Sequence, residues 1–387
     1  SKSFNFTFPN LDLEDPVKIK TSFAVRSLNP SSVSLKANNN ILSSINVSNI
    51  ISAPSTEYAK ISSIYHEYIS SSEDIDVEID YFSSDNGAVL WLDYIQINAR
   101  RKLRMKNNFL QFRDVRTIES NIVRYEIDNT SNIMVWDITD PKNIMRLSLS
   151  TNATSISFND SSNILREYIA FNSLAYIKPS LEGKLTNQNL HAISSDVEYV
   201  IISHPDFLDQ AYSLSEFHLE NSNLKSVVIT PEQIYHEFSS GMQDVTAIRD
   251  FLRMLYVRDD SNLKYLLLFG DGSYDPKDRV PNNTNFIPTY QSDNSTHPTL
   301  TYVTDDYFGV LDDHEGMFTN DLVDIGVGRL PATTITEANV LIDKIEHYYS
   351  SLSFGPWRNN VTFIADDCGP SSGGISSITF MEDADYL

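Results

Sequence analysis

Hydrophobic and polar positions alternate with period two along the first half of the chain. Further on they give way to apolar runs of four or five residues separated by amphipathic stretches. Phe4-Asn-Phe-Thr-Phe8 alternates, and so does Ile75-Asp-Val-Glu-Ile-Asp-Tyr-Phe82, with the turn signal Ser83-Ser-Asp-Asn-Gly87 behind it. Alternation of this kind marks a half-buried strand. Further strands are expected at 88–98, 109–112, 122–127, 133–138, 146–149 and 155–158. Pro141, which has no N–H to give to a ladder, bars continuation of the fourth of these. Short strands at this spacing, with Asn, Asp, Ser and Gly between them, predict an antiparallel sandwich over residues 1–185.

A polar link at 179–195 is the expected boundary, and the rhythm changes after it. Tyr199-Val-Ile-Ile-Ser203, 225–230, 265–269, 323–327 and 361–365 read as short strands. Helices are expected at 207–221, after Pro231, at 244–257 and at 334–349. In the third of them Val245, Ile248, Leu252 and Leu255 share one face. In the last, Thr334 followed by Glu337 has the spacing of a capping box. Strand–helix alternation implies a mostly parallel sheet with right-handed crossovers, here over residues 196–387. The chain therefore reads as multidomain, an antiparallel β region followed by an α/β domain.

Composition narrows the function. A net charge of -23 argues against nucleic acid, whose phosphates would be repelled. It suits an exported protein, or one whose carboxylates hold a cation. A single cysteine, Cys368, precludes an intrachain disulfide, so stability must come from the cores. No run of about 18 apolar residues is present, so no transmembrane span is expected. Ser1-Lys-Ser-Phe carries no signal-peptide core, as expected if an export signal has been removed.

Candidate chemistry collects where strands run into Gly and Asp. Phe269-Gly-Asp-Gly-Ser273 would project Asp271 at the carboxyl edge of a sheet, either as a turn cap or as support for a site. No Gly-Lys-Ser/Thr follows, which excludes a phosphate loop. Residues 304–324 hold seven carboxylates and no Lys or Arg, so that loop is expected to be solvated or to bind a cation such as Ca2+. Asp324 lies within an apolar run and needs a partner, for which Arg329 is the nearest candidate in sequence. Cys368 follows an expected strand end, but Asp366 and Asp367 beside it would disfavour a thiolate. Of the histidines, His297, His314 and His347 are the candidates for its base, and none of the eight is followed by Gly.

The wording of residues 199–365 resembles the gingipain-type cysteine peptidases of family C25, with a caspase-like fold. It is most similar to the sortases of the type IX secretion system. The resemblance rests on Thr230-Pro-Glu-Gln-Ile-Tyr235, the stretch Phe238 to Asp250, Leu263 to Asp275, Asn285-Phe-Ile-Pro-Thr-Tyr290, Tyr302 to Asp313 and Val323 to Ala332. It implies a cell-surface, outer-membrane-associated cysteine peptidase and transpeptidase. Such an enzyme removes C-terminal sorting domains from cargo and transfers the cargo to surface lipopolysaccharide. It also implies an outer-membrane β-barrel partner of the PorV type. The chemistry would be thioester formation at a Cys thiolate, with His as base and backbone N–H groups holding the oxyanion. By its position relative to Gly328-Arg329, Asp324 matches the acidic residue that supports the family's His. The family's calcium sites make Asp271, Asp275, Asp305, Asp306 and Asp312 candidate Ca2+ ligands. Residues 370–387 hold neither a His-Gly nor a Cys, so the catalytic pair is expected elsewhere and the chain as given is expected to be inactive. The alternatives are a non-enzymatic scaffold or pseudoenzyme binding an outer-membrane partner or cargo, and a Ca2+-stabilised adhesin.

Overall fold

The computed structural model describes residues 1–53, 56–128, 132–161, 163–316 and 321–362. They fall into two units, Ser1–Leu185 with Ser292–Tyr302, and Thr186–Gln291 with Val303–Leu387. Among the described residues no helix is long and apolar enough to cross a membrane.

The first unit opens with β1 (Lys2–Thr7), β2 (Val17–Arg26), β3 (Ser31–Ala37), β4 (Asn40–Val47), β5 (Lys60–Tyr68), β6 (Asp74–Ser83) and β7 (Val89–Asn98). They form two antiparallel sheets, ordered β1-β6-β3-β4 and β5-β2-β7. Val17, Ile19, Phe23 and Val25 of β2 meet Val33 and Leu35 of β3 and Ile75 and Val77 of β6 in one core. Asn38 and Asn39, both at positive φ, close the two-residue β3–β4 hairpin, where a primed turn matches the strand twist. The next seven strands are β8 (Phe109–Phe112), β9 (Ile122–Asp128), β10 (Met134–Asp137), β11 (Met145–Arg146), β12 (Ser150–Thr151), β13 (Ser155–Ser161) and β14 (Tyr168–Phe171). Their two sheets, β11-β10-β14-β8 and β12-β13-β9, enclose a cluster of Phe112, Tyr125, Phe158 and Tyr168 rings.

Several expectations are corrected here. The strand expected at 146–149 is not formed: only Arg146 is in a strand, β11, and residues 147–149 link it to β12, which pairs with a different neighbour. Strands β2 to β5 and β14 come in addition to those expected from the sequence. In β3 and β4 the non-core positions are mostly Ser and Asn, residues that as readily signal turns.

The second unit runs β15 (Tyr199–Ser203), α1 (Leu208–Ser222), β16 (Ser226–Ile229), α2 (Pro231–Phe238), α3 (Val245–Tyr256), β17 (Tyr265–Phe269), β18 (Tyr290–Gln291), β19 (Val303–Thr304), β20 (Gly326–Leu330) and α4 (Ile335–Tyr349). Strands β16-β15-β17-β20 make one all-parallel sheet. Val200, Ile202, Leu266 and Leu268 face Ile248, Phe251 and Leu252 of α3. Their alternates Tyr199, Ile201, Leu267 and Phe269 face Ala211 and Leu214 of α1 and Ala338 and Ile342 of α4. The sheet is thus covered on both sides, which is why its strands read as unbroken apolar runs.

Caps set the helix starts. Thr230 and Gln233 form a full capping box on α2. At α4 only half of the expected box is present. Thr334 caps Glu337 N–H at 3.2 Å, but the Glu337 carboxylate accepts from Thr333 instead. The fourth parallel strand lies three residues later than the expected 323–327, because pairing with β17 places Gly326 opposite Tyr265. Residues 363–365 of the expected fifth strand, and Cys368, lie outside the described residues. Phe251 is fully buried between α3 and the sheet, so Phe251→Ala should cost about 3–5 kcal/mol in a urea melt of this unit. A loss below about 1 kcal/mol would mean that this core is not formed as described.

Candidate functional site

Parallel strands end together, and in open α/β sheets sites form beyond that edge, where the strand order reverses. Here the reversal falls at β15, which has β16 on one side and β17 on the other. His204 follows β15, and Gly270-Asp271 follows β17. The His204 N–H donates to Phe269 O at 3.0 Å, which holds the two strand ends together. The imidazole stacks on Phe286 with centroids 4.3 Å apart, and its Nδ1 accepts from Asp206 N–H at 3.3 Å. That bond leaves Nε2 as the ring's other polar atom, on a side chain 22% exposed. His204 is not among the histidines that the sequence singles out. Its position directly after a wholly buried strand was the available signal.

Gly270 makes the exit possible. Its φ of 149° lies where L-residues are strained, and a Cβ there would stand 3.1 Å from both Ile287 Cγ1 and Phe286 Cβ. The chain can then turn back so that the Asp271 carbonyl accepts from the N–H groups of Phe286 and Ile287 at 3.1 and 3.0 Å.

Arg329 ties this edge together. Its Nε and Nη2 fork onto Asp305 at 2.7 Å each, and Nη1 donates to Gly270 O and Ile287 O at 2.9 and 3.0 Å. Nη2 also reaches Pro288 O at 3.3 Å. Every N–H of the guanidinium is therefore engaged, on a side chain only 14% exposed.

The five carboxylates named as candidate Ca2+ ligands have different surroundings. Asp271 accepts from Thr284 Oγ1 at 2.5 Å. Asp275 is buried and closes its own turn, accepting from the N–H groups of Arg279 and Val280. Burial raises the pKa of the Asp275 carboxyl, but the N–H groups of Val280, Arg279 and Lys277 outweigh it and hold the group below the usual carboxylate range. Asp305 is committed to Arg329, and Asp306 is exposed at the start of a 3₁₀ turn. Only Asp312 joins a group: among the described residues Asp312, Glu315 and Asp324 bring carboxylate oxygens within 4.8 Å of one another.

Asp324 is not paired with Arg329 as expected. Asp324 lies in the bend before β20, and Arg329 lies inside the strand with its guanidinium on Asp305 and the carbonyls of Gly270 and Ile287. Asp324 instead accepts from Leu311 N–H at 2.7 Å and Tyr256 OH at 3.3 Å. Burial and then the charges of Asp324 and Asp312 raise the Tyr256 phenol's pKa. Asp324 also precedes β20, at the amino end of the sheet, whereas His204 and Asp271 stand at the carboxyl end. Nor is the acidic loop without cations. Arg249 and Arg253, one turn apart on α3, donate to the carbonyls of Val310, Leu311 and Glu315, and Arg253 pairs with Asp313.

A family model for peptidase family C25 matches residues 192–386, half of the chain. The chain belongs to peptidase family C25. No curated protein matches it. Among solved structures, dimeric latent PorU from Porphyromonas gingivalis superposes with a TM-score of 0.78 at 24% identity, over 93% of this chain and 36% of PorU. That likeness establishes a shared fold across both units. The Arg-specific cysteine proteinase gingipain R (RgpB) gives a TM-score of 0.29 at 17% identity, over 40% of this chain and 29% of that one. The C25 chain thus spans about a third of the PorU chain it resembles.

Arg329→Lys leaves one ammonium where five N–H donors stood, and should cost roughly 2 kcal/mol or more in a urea melt. A cost within about 0.5 kcal/mol of zero would remove Arg329 as the tie of this edge. Because the Asp275 carboxyl is depressed in the native state, its stabilisation is present above the ordinary carboxylate pKa and lost as pH falls through the native value. Asp275→Asn should therefore show a shallower fall in Tm than wild type between about pH 5 and about pH 2. Parallel curves would refute that assignment.

Proposed function

We propose that this chain forms the amino-terminal portion of a cell-surface C25 sortase of the PorU kind. The observation that carries the reading is the single fold match to latent PorU running through both the β unit and the parallel-sheet unit, together with the C25 family match. In this reading the protein is exported to the outer membrane and removes the C-terminal sorting domains of type IX cargo. It then passes the cargo carboxyl group, held as a thioester, to an amine on surface lipopolysaccharide. Its partners are cargo proteins and an outer-membrane β-barrel.

The parallel-sheet unit serves as a platform, and the nucleophilic Cys and its His base come from outside residues 1–362. Cys368 is a poor nucleophile, since Asp366 and Asp367 oppose thiolate formation. Where Ca2+ takes part, Asp312, Glu315 and Asp324 are the donor set that fits it: hard carboxylate oxygens grouped closely enough to share one ion. Its contribution there is to hold the loop after Leu311 against α3, alongside Arg249 and Arg253.

Purified 1–387 should leave peptides bearing cargo sorting domains uncut, and Cys368→Ala should behave identically. Hydrolysis by the wild type that Cys368→Ala abolishes would overturn the platform reading. For calcium, Tm of EDTA-treated protein should rise on titration with Ca2+, by roughly 2.7 kcal/mol of added stability at about 100 times Kd. Asp312→Asn should lose that response, and a wild type indifferent to Ca2+ would exclude the ion from this cluster.

A further inference from the structure

The outer face of the β5-β2-β7 sheet carries a row of rings that no core uses. Trp91 is 44% exposed, Tyr94 40% and Tyr65 56%. Trp91 and Tyr94 are three residues apart on β7, and regular alternation would send them to opposite faces. A register shift brings them together: Ser22 pairs with Tyr94 and Phe23 with Leu92, leaving Asp93 as the extra residue. Bulges re-aim side chains and are common beside binding sites.

The register defines a shallow trough. On the central strand the outward positions beside these rings are small, Ser22 and Ala24. Ser22 lies between Tyr94 and Ser63, and Ala24 between Trp91 and Ile61. With strands about 4.8 Å apart, β5 and β7 stand roughly 10 Å apart across that floor. Cations close both ends. The Arg26 guanidinium lies 3.9 Å from the Tyr58 ring centroid, and Lys20 Nζ lies 5.8 Å from that of Tyr94. Tyr58 in turn approaches Trp91, with centroids 6.3 Å apart.

From this arrangement we propose that the trough binds an oligosaccharide chain of pyranose units. A pyranose presents flat C–H faces rimmed by hydroxyls, and exposed Trp and Tyr rings offer an apolar face together with a polar handle. The polar residues set among the rings, Lys20, Gln96, Ser63 and Asp93, are donors and acceptors that hydroxyls can satisfy. A dry protein interface would have to desolvate them, and interface cores are depleted in such charges. This inference does not depend on the peptidase reading.

The test is isothermal titration of the 1–387 protein with cellohexaose, chitohexaose and maltoheptaose. At least one sugar should bind, and Trp91→Ala and Tyr94→Ala should each weaken it by roughly tenfold or more. Trp357→Phe, an exposed ring of the second unit, should bind as wild type does. Ser63→Arg, which fills the trough and removes no ring, should also lose binding. It guards against a folding defect in the ring variants, as does an unchanged Tm. No binding by any of the three sugars at about 1 mM, or binding indifferent to Trp91→Ala, would overturn the proposal. So would concentration-dependent self-association that Trp91→Ala abolishes, since the face would then be a contact between copies.

Discussion

A parallel sheet has to stop somewhere, and at its carboxyl edge several backbone carbonyls lose their partners together. Arg329 is this unit's answer. One planar guanidinium, its charge offset by Asp305, satisfies the carbonyls of Gly270, Ile287 and Pro288 from inside the sheet. Lysine offers a point charge without the fork, so the fixed geometry of arginine is what makes one residue sufficient. The return of residues 284–288 over the end of β17, and with it the packing of Phe286 on His204, depends on this tie.

The same economy explains how a chain of net charge -23 tolerates a carboxylate-rich loop in its core unit. The loop is pinned chiefly through its carbonyls. Arg249 and Arg253 bring positive charge from one face of α3 while donating to backbone oxygens, so attraction and hydrogen bonding act through the same two side chains. Tyr307, Phe308 and Leu311 are buried among the residues of α3 and the sheet, so the loop is anchored by packing as well as by charge. A solvated loop or a bound cation was the choice the sequence offered. A local count of Lys and Arg could not reveal cations some sixty residues away in sequence.

What could be read in the chain followed burial. Strands β15 and β17, buried on both faces, were recognisable to the residue, and α3 with its single apolar face nearly so. The strands β3 and β4 are not singled out in the sequence, since the Ser and Asn between their apolar residues signal turns as readily as strands. The site residues divide along the same line. Asp271 stands at a strand end as expected, because a strand end is a local property. The partners of Asp305, Asp275 and Asp324 are set by register and turn geometry, and neither is written in residue spacing. Asp324 takes the Leu311 N–H and Arg329 takes Asp305, so the pair that spacing suggested does not form.

Strand β20 brings these points together. It carries Gly326 and Gly328, both exposed, and glycine gives a strand little to specify its register. A Cβ at Gly326 would lie 3.0 Å from the Tyr265 ring, so a larger residue there would have to displace that ring. Register has to come from elsewhere, and it comes from the two ends. Before the strand, Asp324 is fixed to the backbone of Leu311 and its own N–H to Gly309 O. At the far end Arg329 is fixed to Gly270 and Asp305. A one-residue slip would send Arg329 to the other face of the sheet, away from Asp305 and the carbonyls it serves, and would pull Asp324 off the Leu311 N–H. Asp324 and Arg329, which sequence spacing offers as partners, thus work as separate anchors, and their separation is what sets the strand.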